Sequence, residues 1–274
     1  MNAIYITARG QMRDALQSWW VILYAATFGA LALALAVAGA RGAGALGFDG
    51  FNRMSASLLN ACLLLVPLAA LALGASAVSG EQERGTLQGL LVQPIARWEL
   101  LAGLYLGLLA TLALATAIGF GVAGFVIGLL SPVIDPARYL QLLLLVVVLT
   151  GVMLALGLLI SVVAGSRMRS LGAAVTLWFV LVLFFDLGVI GVTLTGLLGN
   201  QGLIAALLLN PVDVVRVLAV LRLEPSMDVL GPAGAYLEAT LGAGGAAAML
   251  SAVLVAWFII PMAGAVWVFH RQDV

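Results

Sequence analysis

The chain has 274 residues, of which 64% are hydrophobic and 9% are charged. A soluble domain carries about a quarter charged residues, so water is not the main solvent of this chain. All twelve basic residues are arginine, and without lysine the chain has no phosphate-binding GxxxxGK(S/T) loop and does not hydrolyse ATP alone. The formal charge is zero and no basic cluster is present, which argues against a nucleic-acid partner. The single histidine and the single cysteine argue against a protease and against a metal site.

Six runs are apolar over about 20 residues or more, which is the length that crosses a bilayer. They are residues 18–40, 55–78, 100–130, 139–164, 171–194 and 246–269. The sequence therefore predicts an all-α, polytopic protein of the bacterial inner membrane, with a single transmembrane domain over residues 1–274. Six spans put both termini on one side, and the excess of arginine in the short loops places that side in the cytoplasm. The third run is longer than a bilayer requires, so the helix is either tilted or broken near its glycine-rich end.

Two further segments predict helices outside the spans. In residues 4–20, apolar residues recur at helical spacing on one face and arginines lie on the opposite face. This pattern predicts a helix lying on the inner membrane surface. Between spans five and six, Asn210 and Pro211 have the pattern of an N-cap followed by a proline in the first turn. The apolar stripe behind this cap consists of Val214, Val215, Leu218 and Leu221. Because Asp213 and Arg216 face away from that stripe, we expect an amphipathic helix on the outer surface.

The loop between spans two and three, residues 79–101, has helix signals of its own. Ser79 and Gln82 have the spacing of a capping box, and Pro94 predicts the end of the helix. The apolar stripe between them consists of Leu87, Leu90 and Leu91. Two interpretations follow: the loop is a solvated connector, or it is an amphipathic knob that fits a groove in a cytoplasmic partner.

One ionisable side chain, Asp186, lies well inside a predicted span. A carboxylate at the bilayer centre costs about 2.5 to 3.5 kcal/mol on insertion scales, so it needs a compensating group. Counted from the start of span five it lies about 22 Å along a core roughly 30 Å thick, where a hydrated vestibule or an outer arginine could reach it. Asp186 either lines a translocation path or pins span five to a neighbour. The small-residue pair Gly103 and Gly107 likewise predicts either packing within one bundle or a dimer seam.

The loop between spans two and three also carries a recognisable motif. Its residues resemble the E-x-E-x-G-T-L-x-x-L-L-x-x-P-x-x-R pattern of ABC-2 type permeases. The matching residues are Glu81, Glu83, Arg84, Gly85, Thr86, Leu87, Leu90, Leu91, Pro94, Arg97 and Glu99. The resemblance implies that this loop is a coupling helix docked on a separate cytoplasmic ABC ATPase. That partner would bind ATP and Mg, and this chain would hold no cofactor.

Two other segments carry a closer likeness within the same family. Residues 178–186 and 207–216 are similar to permeases that serve maturation of the copper enzyme nitrous oxide reductase. This likeness implies a second copy of the chain and a periplasmic accessory protein at the outer face. The residues assigned to that contact are Asn210, Pro211, Asp213 and Arg216. Two alternatives remain: a non-transporting membrane scaffold or assembly factor, and an exporter of another cargo.

Overall fold

Every regular element that the structure describes is a helix. The computed structural model describes residues 3–46, 50–86, 96–130, 136–195, 199–223 and 231–272. In chain order the elements are α1 (Ala3–Leu16), α2 (Trp19–Leu46), α3 (Gly50–Glu83), α4 (Arg97–Leu130), α5 (Pro136–Ala164), α6 (Arg167–Phe179), the π-helical segment π1 (Val180–Phe184), α7 (Phe185–Thr195), α8 (Asn200–Leu209), α9 (Pro211–Leu223) and α10 (Gly231–Arg271). The all-α prediction is confirmed for these residues.

Five unbroken helices in the described part of the chain are long and apolar enough to cross a membrane. They are Ser57–Glu83, Arg97–Leu129, Pro136–Ala164, Arg167–Val189 and Gly244–Arg271. These helices coincide with the predicted spans two to six. The predicted first span lies in α2, which is bent by 65° against α1, and α8 and α9 form a second bent pair. The number of spans rises to seven if each bent pair counts as one, so the exact six-span topology stays a prediction.

The third predicted span is one continuous helix. Helix α4 has 34 residues, which at about 1.5 Å per residue gives a length of roughly 51 Å. The hydrocarbon core of a bilayer is only about 30 Å thick. Of the two alternatives for this span, the structure therefore removes the break, and the helix must tilt or project beyond the core.

Helices α3 and α5 pack backbone against backbone at a pair of glycines. A Cβ atom on Gly74 would lie 2.7 Å from the carbonyl oxygen of Leu154, and one on Gly157 would lie 2.7 Å from that of Leu71. Only glycine permits this backbone contact, as at other small-residue seams between membrane helices. We call this contact the α3–α5 seam.

Ser79 lies in this seam, and the prediction that it caps a new helix is wrong. Its hydroxyl donates to the carbonyl oxygen of Ala75 at 2.7 Å, and its backbone N–H donates to Ser161 Oγ at 2.9 Å. The side chain is fully buried. Because these bonds hold Ser79 inside a helix, α3 continues without a break to Glu83.

Helix α1 packs along α4 at a pair of glycines. A Cβ on Gly103 would lie 2.6 Å from the Cβ of Thr7, and one on Gly107 would lie 2.6 Å from the carbonyl oxygen of Ala8. Gly103 and Gly107 therefore serve packing within the chain, which was one of their two interpretations. The location of α1 on a membrane surface stays a prediction.

Helices α8 and α9 meet at Asn210 with a bend of 109°. The predicted apolar stripe on α9 faces the interior of the protein. Val214, Val215 and Leu218 are buried, and Leu221 is partly buried. Burial extends beyond the stripe, however, to Val212, Val217 and Ala219. Helix α9 lies in a niche between α3, α5 and α10, which differs from the open surface position that the sequence predicts.

Candidate functional sites: a loop end and a polar cluster

The predicted coupling loop is described at both of its ends. Residues 87–95 lie outside the described residues. This range includes the predicted contact residues Leu87, Leu90, Leu91 and Pro94. The flanks come together at one end of the bundle with the start of α6 and the last turn of α10. We call this the proximal end; it comprises residues 81–86, 96–99, 165–169 and 269–272.

The first flank is a tight turn at the end of α3. Thr86 Oγ1 hydrogen-bonds to the Glu81 carboxylate and donates to the Glu81 carbonyl oxygen at 3.1 Å. Gly85 has a φ of 72°, the left-handed conformation that commonly ends helices and that glycine adopts without a Cβ penalty. Arg84 pairs with Glu81 at 3.5 Å, but its side chain is 65% exposed, so this ion pair adds little stability.

Glu83 connects this flank to α6. Its Oε1 accepts a hydrogen bond of 2.8 Å from the backbone N–H of Arg167, the first residue of α6. The residue at the N-cap position, Ser166, makes no capping bond, because its hydroxyl accepts from Arg169 Nε at 2.9 Å. The carboxylate of Glu83 therefore satisfies a helix N-terminus that lacks a cap of its own.

Arg97 connects the second flank to α10. Its Nη1 donates to the carbonyl oxygens of Phe269 at 2.7 Å and of Gln272 at 2.6 Å, and its guanidinium lies 5.8 Å from the centre of the Phe269 ring. Glu99 accepts from the backbone N–H of Ala96 at 3.0 Å, which is one half of a capping box at the start of α4. Arg97 and Glu99, predicted as coupling residues, thus use these groups for contacts within the subunit.

Asp186 belongs to a second group of polar residues, toward the other end of the bundle. Arg216 Nη2 lies 3.0 Å from Asp186 Oδ2, and Arg216 Nη1 lies 2.7 Å from Asp213 Oδ1. Of the two compensating groups considered for Asp186, a hydrated vestibule and an arginine, the geometry provides an arginine. About a third of the Asp186 and Arg216 side-chain surface remains exposed, 33% and 35%, against 13% for Asp213. We call Asp186, Asn210, Asp213 and Arg216 the polar cluster.

Asn210 holds the polar cluster to span five. Its Oδ1 accepts from the backbone N–H of Val212 at 3.0 Å, which confirms the predicted N-cap. Its Nδ2 donates to Asp213 Oδ2 and to the carbonyl oxygen of Leu181, both at 2.8 Å. Because Asn210 is fully buried and Pro211 is buried too, only Asp213 and Arg216 of the four residues assigned to a periplasmic partner keep side-chain surface.

The segment that presents Leu181 was not predicted. In π1 the backbone N–H of Phe185 donates to the carbonyl oxygen of Val180, five residues earlier, instead of four. Such π turns are rare and occur often at functional sites. The stretch from Val180 to Phe184 contains neither glycine nor proline, so no local signal distinguishes it from an ordinary apolar helix.

Within the described ranges, no group of three or more His, Cys, Asp or Glu side chains comes together as metal ligands would. Cys62 is a free thiol in the core. The two sites therefore have a mechanical and an electrostatic character. The first is a loop fixed to two spans at the proximal end, and the second is a partly buried charge cluster that joins span five to α9.

Apolar helices packed through glycine seams, with a polar loop fixed to two of them, describe a multi-pass membrane protein. The family model for ABC-2 family transporter proteins matches residues 5–274. The chain belongs to this family, and it is thus a membrane-spanning transport subunit that is not itself catalytic.

Two curated relatives are described as "Probable ABC transporter permease protein NosY". The one from Stutzerimonas stutzeri is 32% identical over 280 residues, which cover 99% of this chain and 99% of the relative. The one from Pseudomonas aeruginosa is 37% identical over 227 residues, 80% of this chain and 82% of the relative. Members of the family usually work with a cytoplasmic ATPase and as dimers. The chain is therefore similar to NosY permeases along essentially its whole length.

Proposed function

We propose that a separate cytoplasmic ABC ATPase drives this permease through the loop from Glu81 to Arg97. The observation that carries the proposal is the pair of contacts at the ends of that loop, Glu83 to Arg167 and Arg97 to the last turn of α10. A loop that only joined two spans would have no need to hold two others. The ATPase binds ATP and Mg, and its closure displaces the apolar stripe formed by Leu87, Leu90 and Leu91.

We further propose that the transporter supports maturation of the copper site of nitrous oxide reductase. The support is the similarity to proteins named NosY over 99% of the chain, together with the likeness of residues 178–186 and 207–216. In this proposal both termini and the proximal end lie in the cytoplasm. The polar cluster lies in the outer half of the membrane, and a periplasmic accessory protein contacts the exposed parts of Asp213 and Arg216.

A second copy of the chain completes the proposed transporter. The strip along α6 and π1 that includes Phe179, Leu183 and Phe184 is apolar and exposed in one subunit. Exposed apolar surface at a span meets either lipid or another helix. We propose that part of this strip packs against the second copy, with Asp186 lining the path between the two subunits.

A scaffold without transport activity is the main alternative, and it gives no reason for a loop held at both ends. The test is purification of the tagged chain from native membranes at low and high salt. The proposal expects an ATPase with a lysine-containing phosphate loop in a one-to-one ratio, and a periplasmic protein in addition. Recovery of the chain alone, still folded, at every salt concentration would favour the scaffold.

A further inference from the structure

We infer that Glu83 and Arg97 are the two points at which movement of the loop enters the helix bundle, and that each residue moves a different span. The inference rests on the proposed function, since it presupposes that the ATPase displaces this loop. It adds that the two residues act on different spans: Glu83 moves span five, and Arg97 moves span six.

Among the five unbroken spans that the structure describes, the two that the loop holds are the least buried within one subunit. In the most apolar stretch of each helix, 56% of the residues are buried for α3 and for α5, but only 17% for Arg167–Val189 and 22% for Gly244–Arg271. The backbone contacts at Gly74 and Gly157 lock α3 to α5. Within one subunit the α3–α5 seam is therefore the fixed part, and spans five and six, which bury a smaller share of their residues, are the parts that move against it.

Glu83 is in a position to move span five. It is the last residue of α3, it is exposed, and it lies four residues beyond Ser79, whose N–H bonds to the fixed seam. A shift of the loop can therefore displace Glu83 without breaking the seam. The carboxylate is attached to the backbone of Arg167 rather than to a flexible side chain, so its displacement acts directly on the axis of α6.

Along span five the displacement reaches the polar cluster through π1. A π turn interrupts the regular hydrogen-bond ladder, so the helix can change its register there at lower cost than elsewhere. The carbonyl of Leu181 within π1 is bonded to Asn210, and Asp186 follows π1 directly. A movement of α6 consequently changes the contact between Asp186 and Arg216.

Arg97 has the corresponding position for span six. One guanidinium nitrogen bonds to the carbonyl oxygens of Phe269 and Gln272, which the end of α10 would otherwise leave without partners. Arg97 is also the first residue of α4 after the loop. The loop and the last turn of α10 therefore move together.

Spin labels on the two spans test whether Glu83 and Arg97 move different spans. In a chain in which Cys62 is replaced by serine, a single cysteine is introduced either at Leu187 in α7 or at Ser251 in α10; both positions are exposed. Each carries a nitroxide, and its spectrum is compared between ADP and ATP with vanadate in the complex with the co-purified ATPase. A label at Leu144 on α5, also exposed, serves as the reference on the α3–α5 seam.

Glu83→Ala should abolish the nucleotide-linked spectral change at position 187 and leave the change at 251. Arg97→Ala should do the reverse. Glu83→Gln keeps an acceptor and Arg97→Lys keeps a donor, so both should restore the response, which excludes misfolding as the cause. Arg13→Ala is the matched control, because it removes an exposed arginine of α1 that lies outside the loop, and it should change neither label.

Two results would overturn the inference: a normal response of both labels in Glu83→Ala and Arg97→Ala, or simultaneous loss of both responses in each variant. The second would show that the loop moves both spans as one unit rather than by two separate routes. No response of either label in the unsubstituted chain, with the ATPase bound and active, would instead refute the proposed coupling itself.

Discussion

Replacement of Asn210 by alanine should destabilise the protein more than any other single polar truncation in the polar cluster. The side chain is fully buried and makes hydrogen bonds with Val212, Leu181 and Asp213. At about 1 kcal/mol net for each bond, one of which is also a helix cap, the loss of unfolding free energy is about 3 kcal/mol. The carbonyl of Leu181 is left without this partner, which adds to the cost.

The assay is unfolding of the purified permease by sodium dodecyl sulfate in mixed micelles, followed by loss of helical circular dichroism. Asn60→Ala, the same substitution at an exposed position of α3, is the control and should change the unfolding free energy by less than about 0.5 kcal/mol. Asn210→Asp keeps the acceptor for Val212 but loses both donors and adds a charge beside Asp213, so it should be worse than alanine. Wild-type stability in Asn210→Ala, or a more stable Asn210→Asp, would refute the reasoning.

Three further predictions concern topology, the polar cluster and the seam. A cysteine at Gln88 should be shielded from an impermeant thiol reagent in intact cells, and one at Met227 should react with it. Labelling at Gln88 would show that the predicted orientation is reversed. Asp186→Asn should keep the ATPase bound and lower nitrous oxide reductase maturation, whereas a less stable complex with normal maturation would make Asp186 a structural pin. Gly157→Ala should cost about 1 to 3 kcal/mol of stability, while Gly172→Ala, with open space around it, should not; equal effects would argue against a close seam.

The helices themselves were predictable because length and apolar composition suffice to identify a span. Spans two to six all fall where the sequence places them. The N-cap at Asn210 was predictable for a related reason, since a cap and the proline after it are adjacent in the chain. Features that depend on neighbouring residues are thus readable from the sequence.

Features that depend on distant residues were not readable. Ser79 has the spacing of a capping box, but its backbone N–H bonds to Ser161, 82 positions away, and α3 stays helical past it. Asp186 and Arg216 are 30 positions apart, and the sequence indicated only that Asp186 needs a compensating group, either a hydrated vestibule or an arginine. Arg97 was predicted as a coupling residue from its motif, but the motif gives no sign that its guanidinium bonds to the end of α10.

The central claim, that the loop from Glu81 to Arg97 receives the ATPase, is tested most directly at Leu87. Leu87→Asp puts a charge on the apolar stripe of the loop, where burial without a partner is strongly unfavourable. Gln88→Asp introduces the same residue one position along, off the stripe, and is the control. The account predicts that Leu87→Asp loses the ATPase on purification across a salt series while Gln88→Asp retains it. Retention of the ATPase at wild-type stoichiometry by Leu87→Asp, with full maturation in cells, would contradict it.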